Sequence, residues 1–184
     1  MATMQVVPAL GGLPAIDEES GSVNVIVETP KGSRGKFKYD DKTGGFLLHK
    51  ILPVGFAFPL DFGFVPSTMA ADGDPIDVLL LLDVPVTTGI IVKTKLIGAI
   101  EAEQKEPEGK FVRNDRLLGV AVEVIEPPGL EDIAALPDRM LEQLEQFFVG
   151  YDRLQGKEFR PLRRTGPEAA MALLRESIAA QYAG

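Results

Sequence analysis

Three carboxylates stand within six residues at positions 72–77 (Asp-Gly-Asp-Pro-Ile-Asp), and an apolar run, residues 78–82, follows at once. Asp72-Gly73 is a turn signal, while Pro75 fixes its own φ and pushes Asp74 towards an extended conformation. The acids are therefore held at the mouth of a buried strand, close enough to repel one another. Such crowding is costly unless a hard divalent cation such as Mg2+ neutralises it. The plainer alternative is an acidic surface turn. An EF-hand is excluded, because Asp77 occupies the sixth position, where that loop needs glycine.

The cations come from elsewhere in the chain. Lys36 and Lys38 alternate in a strand-like stretch, so they share one face opposite Phe37 and Tyr39. The run Lys-Gly-Ser-Arg-Gly at 31–35 looks like a phosphate cradle but lacks P-loop spacing and reads as a hairpin turn. Arg160, Arg163 and Arg164 form a basic cluster between two helical stretches, suited to a solvated loop or an oligomer contact. His49 is the single histidine and cysteine is absent, which argues against zinc and excludes disulfides and a thiol nucleophile.

Positioning these groups needs a framework, and the pattern supplies one. At 184 residues with 45% hydrophobic and 25% charged content, the chain fits one soluble domain. Nineteen basic against 27 acidic residues argue against nucleic-acid binding. No apolar run reaches membrane-spanning length, and residues 1–21 resemble no secretory signal. They are expected to form a mobile or loosely docked arm before a single domain at 22–184, and the default location is the cytoplasm.

Alternation predicts strands at 22–28 and 36–40, a hairpin turn at 40–45 and a strand at 46–52. Residues 55–66, aromatic and punctuated by Gly and Pro, predict a shaped loop or short irregular strands. Residues 77–82, apolar on both faces, predict a central strand. A long strand at 90–103 turns near 107–109 and returns at 116–125. Helical periodicity appears only later, at 137–154 with Met140, Leu141, Leu144, Phe147, Phe148, Tyr151 and Leu154 at three- and four-residue steps, and at 167–182. Pro137 suits the first turn of the earlier helix and Gly156 its stop.

Several of these residues, taken in register, resemble the soluble (family I) inorganic pyrophosphatases. The resemblance rests on V-x-V-E-T-P-K-G-S from Val25, F-K-Y-D from Phe37, F-x-F-P-x-D-F-G-F from Phe56 and D-G-D-P-x-D-V-L from Asp72. It continues weakly through Asn114-Asp-Arg116 and Phe147-Phe-Val-Gly-Tyr151. It implies an α+β, mainly β fold: a compact five-stranded OB-like barrel with two flanking C-terminal helices. It also implies Mg2+-dependent hydrolysis of pyrophosphate, with Mn2+ as an alternative metal, by a homo-oligomer, trimer or hexamer. Asp72 and Asp77 would ligate metal and Asp74 would activate the attacking water. Lys36, Lys38, Lys50, Arg116 and Tyr151 would contact phosphate. Glu28 is a further metal candidate beside the lysine face.

Departures from the family pattern are as informative as the matches. Lys38 stands where an acid is usual, Lys50 where an arginine is, Phe58 and Phe62 where two tyrosines are, and Asp152 where a lysine is. The usual D-x-K is replaced by Asn114-Asp-Arg116. Asp115 is the expected metal ligand there, provided a bulge swings it into the site, with Asn114 as the alternative. The upstream metal-binding acid has no clean counterpart; Glu101 and Glu103 are the nearest, and Glu103 is the candidate. Lysine charge replacing outer carboxylates fits a site that needs fewer metals. It also fits a hydrolase of another phosphoanhydride (polyphosphate or organic diphosphate), or a protein that binds phosphates without efficient turnover.

Overall fold

The computed structural model describes residues 9–105, 109–122 and 130–183. Among the described residues, nine strands precede or separate two α-helices: β1 (Val23–Thr29), β2 (Gly35–Asp40), β3 (Gly45–Ile51), β4 (Asp61–Phe64), β5 (Asp77–Leu81), β6 (Ile91–Lys105), β7 (Phe111–Arg113), β8 (Arg116–Ala121), α1 (Asp138–Arg153), β9 (Glu158–Thr165) and α2 (Pro167–Ala183). Strands β1, β4, β5, β8 and β6 pair in that order, and β6 pairs back to β1. That closure makes a five-stranded barrel in which only β5 and β8 run parallel. Closure pairs each of these five strands on both sides, while β7 and β9 add to β6 as outer strands. The barrel and its two helices match the fold expected from the sequence.

Close approach between strands is paid at glycine. A Cβ on Gly63 of β4 would lie 2.2 Å from the Ile26 carbonyl oxygen of β1. On β8, a Cβ on Gly119 would lie 2.3 Å from the Thr94 methyl of β6. Strand β5 is buried on both faces: Leu79 packs in the cluster beneath α1, and Val78 and Leu80 in the cluster that includes Leu174 of α2. This explains its unbroken apolar run.

Strand β9 answers no expectation from the sequence. Residues 158–165, which hold the arginine cluster expected in a solvated loop or an oligomer contact, pair antiparallel with β6 from Lys105↔Glu158 to Ala99↔Thr165. Its arginines are engaged. Arg160 bonds Glu103, Arg163 bonds Glu101, and Arg164 bonds Glu145 and Asp138. Pro161 is tolerated because β9 is an outer strand.

Helix α1 starts one residue after Pro137, which sits at the N-cap rather than in the first turn. Of its periodic apolar residues Leu141, Leu144 and Phe148 are buried, whereas Leu154, at the C-cap, is exposed. Gly156 adopts φ 72° just beyond its end. The turn expected at 107–109 and the strand end at 123–125 fall largely or wholly outside the described residues. From residue 9 onward the N-terminal arm runs against the barrel: Ala15 is buried, and Asn24 bonds the Pro14 and Ala15 carbonyls.

Candidate active site

Strands β4, β5 and β8, the β2–β3 hairpin, α1 and the 65–76 loop surround a cavity of about 510 Å3. Asp72, Asp74 and Asp77 line it, as do Glu28, Lys36, Lys38, Lys50, Arg116 and Tyr151. Local rules place each one. Parallel pairing sets Asp77 beside Arg116 at the start of two neighbouring strands, and the Arg116 guanidinium donates to Asp77 at 2.7 Å. Glu28 sits where the β1–β4 register shifts, between Val27 and Thr29. Such a bulge re-aims a side chain, here into the cavity. Gly73, at φ 85°, makes the turn that folds Asp74 back over Asp72, whose carboxylate accepts the Asp74 N–H at 3.2 Å.

Most of the acids already hold a cation. Lys38 Nζ donates to both carboxylate oxygens of Asp74, at 2.8 Å each. Lys36 Nζ donates to Glu28 at 3.3 Å, and Glu28 also accepts the Tyr39 N–H at 2.7 Å. Burial works against both members of that pair, raising the Glu28 pKa and lowering that of Lys36. Asp72 differs from the others. Its carboxyl is pushed up by burial and then by the nearby charge of Asp77, the condition that a bound cation relieves.

Aromatic faces hold the inner cations. Lys36 Nζ lies 3.5 Å from the centre of the Phe62 ring and 5.6 Å from that of Phe58. The Arg116 guanidinium carbon lies 5.2 Å from Phe148, 5.7 Å from Phe159 and 5.9 Å from Phe62. Phe58 and Phe62, the two departures from tyrosine, thus supply cation–π faces in place of hydroxyls. Asn114 accepts from Arg116 through its side-chain oxygen and donates to Gln104 at 2.9 Å, so an amide chain braces the guanidinium. Towards the rim, Lys50 donates to Gln155. His49 is held below its ordinary pKa by burial, then by Lys50 and Lys38. Tyr151, packed among Phe58, Phe147 and Phe148, has its phenol pushed up to about 12 by burial and by the Asp152 charge. It remains a neutral hydrogen-bond donor at ordinary pH.

Two candidate metal ligands stand away from the cavity. Asp115 faces the opposite side of the sheet, where it accepts the Ala102 N–H at 2.9 Å and an Arg113 N–H at 2.7 Å. At the break between β7 and β8 the Ala102 carbonyl accepts the Asn114 N–H, and the Asp115 carboxylate takes the Ala102 N–H in place of a backbone carbonyl. Asn114 therefore lines the cavity and Asp115 does not. Glu103 is likewise turned away and bound to Arg160 at 2.8 Å. Gln104, the next residue on β6, takes the inward place. Arg34, in the cradle-like run at 31–35, donates from Nε and Nη2 to the Leu52 carbonyl and braces the hairpin.

Among the described residues no three acidic or imidazole side chains converge on one ion position. Asp72 and Asp77, crowded and one of them desolvated, are the cavity acids whose chemistry suits a divalent cation. The inner wall, built from Gln104, Asn114 and Arg116, adds no carboxylate to them. Sequence reasoning missed Gln104, whose only signal was its place one residue after Glu103 in an alternating strand.

Comparison with known proteins places the chain. The family model described as inorganic pyrophosphatase matches residues 25–182. The inorganic pyrophosphatase of Thermus thermophilus is 32% identical over 177 residues, covering 95% of this chain and 98% of the relative. That of Corynebacterium efficiens is 38% identical over 137 residues, 73% of this chain and 81% of the relative. The crystal structure of the T. thermophilus protein aligns with a TM-score of 0.85 at 30% identity, covering 95% of this chain and 99% of that one. A Neisseria gonorrhoeae inorganic pyrophosphatase structure aligns at 0.83 and 28% identity, covering 92% and 96%. The chain belongs to the inorganic pyrophosphatase family.

Proposed function

We propose that the chain hydrolyses inorganic pyrophosphate to two phosphates, with Mg2+ or Mn2+ held by Asp72 and Asp77. The observation that carries this reading is one cavity, in a member of this family, where those acids face Lys36, Lys38 and Arg116. A bound divalent cation supplies neutralisation of phosphate charge and lowers the pKa of a nearby water. Asp74 takes the proton from the attacking water as its oxygen bonds phosphorus and the bridging P–O bond breaks. Lys36 and Arg116, fixed by ring faces and by carboxylate or amide partners, hold phosphate oxygens and stabilise the leaving phosphate. Lys38 and Lys50 extend the cationic wall outward, and Tyr151 donates from its neutral hydroxyl.

A second reading has its own support. A cavity of about 510 Å3 suits ligands of drug size, and its cations continue to Lys50 and Lys157 near the rim. A longer phosphoanhydride fits such a shape. Phosphate release from pyrophosphate, tripolyphosphate and ATP, with and without Mg2+ or Mn2+, separates the readings. Pyrophosphate is expected to turn over only with the cation, and Asp74→Asn to lose about 10²–10⁴-fold. Equal rates without metal, or an active Asp74→Asn, would overturn the assignment.

The proposed assembly is a homo-oligomer. Leu47, Leu48, Ile51 and Val54 are exposed at 52%, 56%, 69% and 88% along β3 and the turn after it, an apolar row suited to a second copy. Light scattering tests this directly; a monomer at micromolar concentration would refute it. No helix among the described residues is long and apolar enough to cross a membrane, and the proposed location is the cytoplasm.

A further inference from the structure

We infer that the N-terminal segment at residues 11–13 is a strap that positions the loop bearing Asp72 and Asp74, with Ser67 as its buckle. The inference rests on the reading above for the chemistry of that loop, but the strap itself stands on separate observations.

The first is backbone strain. Ser67 holds φ 53°, the one non-glycine residue with positive φ among the described residues. A left-handed conformation at an ordinary residue persists only where surrounding contacts enforce it. Here they come from the arm. Ser67 N–H donates to the Gly11 carbonyl at 3.1 Å, and its hydroxyl donates to the Leu13 carbonyl at 2.7 Å.

The second is anchorage on both sides of that contact. Behind it, Asn24 bonds the Pro14 and Ala15 carbonyls, Ile16 bridges to Val23, and Asp17 pairs with Lys93. Ahead of it, Thr68 ties the two ends of the loop, donating to the Val65 carbonyl at 2.6 Å and accepting the Ile76 N–H at 3.1 Å. The Ala70 N–H donates to the Asp74 carbonyl at 2.8 Å. A rigid path therefore runs from β1, through the arm and Ser67, to the backbone of the proposed base.

The third is the fit at Gly11, which lines the same cavity as Asp72. A Cβ there would lie 2.4 Å from Asp41 Oδ1 and 3.1 Å from Tyr39 Cε1. The Asp41 carboxylate ends an exposed side chain and can swing away. The Tyr39 ring cannot, because Phe46 and Phe64 hold it at centroid distances of 5.3 and 5.9 Å. Glycine lets the arm sit this close without pressing on that ring.

The role is positioning, which predicts a split between binding and turnover. Lys36 and Arg116, which hold phosphate, sit on β2 and β8, off the strapped loop. Loosening the strap should lower kcat and leave KM near its original value. The test uses full-length Ser67→Gly, which accepts the same φ and keeps the N–H bond but loses the hydroxyl bond to Leu13. Full-length Gly11→Val, which wedges the arm away from Tyr39, is its companion. Hydrogen exchange without substrate should quicken about 2- to 10-fold at Ala70 and Gly73, with Leu79 and Leu118 in the barrel unchanged. The kcat for pyrophosphate should fall by a similar factor. Unchanged loop exchange in both variants overturns the strap, and faster exchange with unaltered kcat overturns its positioning role. A wild-type chain that releases no phosphate would refute the proposed function instead, while exchange would still decide on the strap.

Discussion

Replacing Lys38 with methionine tests how the cavity balances its own charge. The Lys38 ammonium contacts both oxygens of Asp74, yet the pair is open to water, with side chains 43% and 56% exposed. That exposure selects the range for surface ion pairs, about 0.2–1 kcal/mol, rather than the range for buried ones. The Lys38 pKa is nonetheless raised: burial opposes its charge, but the bond to Asp74 and the charges of Asp74, Glu28 and Asp77 outweigh it. Its field therefore reaches Asp77, one of the two acids assigned to the cation. Lys38→Met removes that positive charge, so substrate-free Mg2+ affinity should tighten by about 1.4- to 5-fold, the same energies expressed as an equilibrium ratio. Lys38→Glu should go further in the same direction. Titration calorimetry with Mg2+ on the two variants measures this. Unchanged or weaker binding in Lys38→Met would refute the charge balance. A gain beyond about 100-fold would mean that the ammonium occupies an ion position outright.

Four further outcomes follow from the packing. Arg116→Met leaves Asp77 without its buried partner and should cost about 3–5 kcal/mol, read by urea unfolding; Arg116→Lys should cost less. Asn114→Asp adds a carboxylate to the inner wall and should raise the number of bound Mg2+ ions, whereas Asp115→Asn should leave metal binding unchanged and reduce stability; calorimetry paired with thermal melts separates the two. For Glu101, burial opposes ionisation, but donors from Arg163 and Arg113 hold its carboxyl below the usual glutamate range. A depressed native pKa gives stability that is complete above the unfolded value, about 4.3, and is lost as pH falls through the native one. Unfolding below about pH 4 should therefore be less steep with pH in Glu101→Gln than in the original chain. Gly63→Ala drives a methyl onto the Ile26 carbonyl and should destabilise by at least about 1–3 kcal/mol; a melting temperature within one degree of the parent's would refute the close approach.

The parts of the molecule legible in the sequence are those whose signal is local. Asp72 to Asp77 could be read because Gly73 and Pro75 dictate the turn that gathers the acids. The buried β5 could be read because both its faces are apolar, and α1 because its apolar stripe has a 3.6-residue period. Strand β9 was hidden by its composition: only Phe159 is fully buried, Pro161 interrupts it, and its arginines point outward to acids on β6 and α1. The side chosen by Asp115 was hidden for another reason. It depends on a break in the ladder opposite Ala102, and a break of that kind is set by how two distant strands meet. The docking of the arm also depends on remote partners, Ser67 and Asn24, which no short window contains.

Strands β2 and β3 form a sheet of their own, separate from the barrel. Their ties to β1 include reciprocal bonds between Thr29 and Phe37 and the two donors, Tyr39 N–H and Lys36, that reach Glu28. Lys36, Lys38 and Lys50 thus ride on a leaf, while Arg116 and the acids belong to the trunk. Across the space between them, Lys38 reaches Asp74, Lys36 rests on the Phe62 face and the Tyr39 ring stacks on Phe64. The cavity is therefore a seam between two separately built sheets, and its width is set by side chains that belong to the site itself.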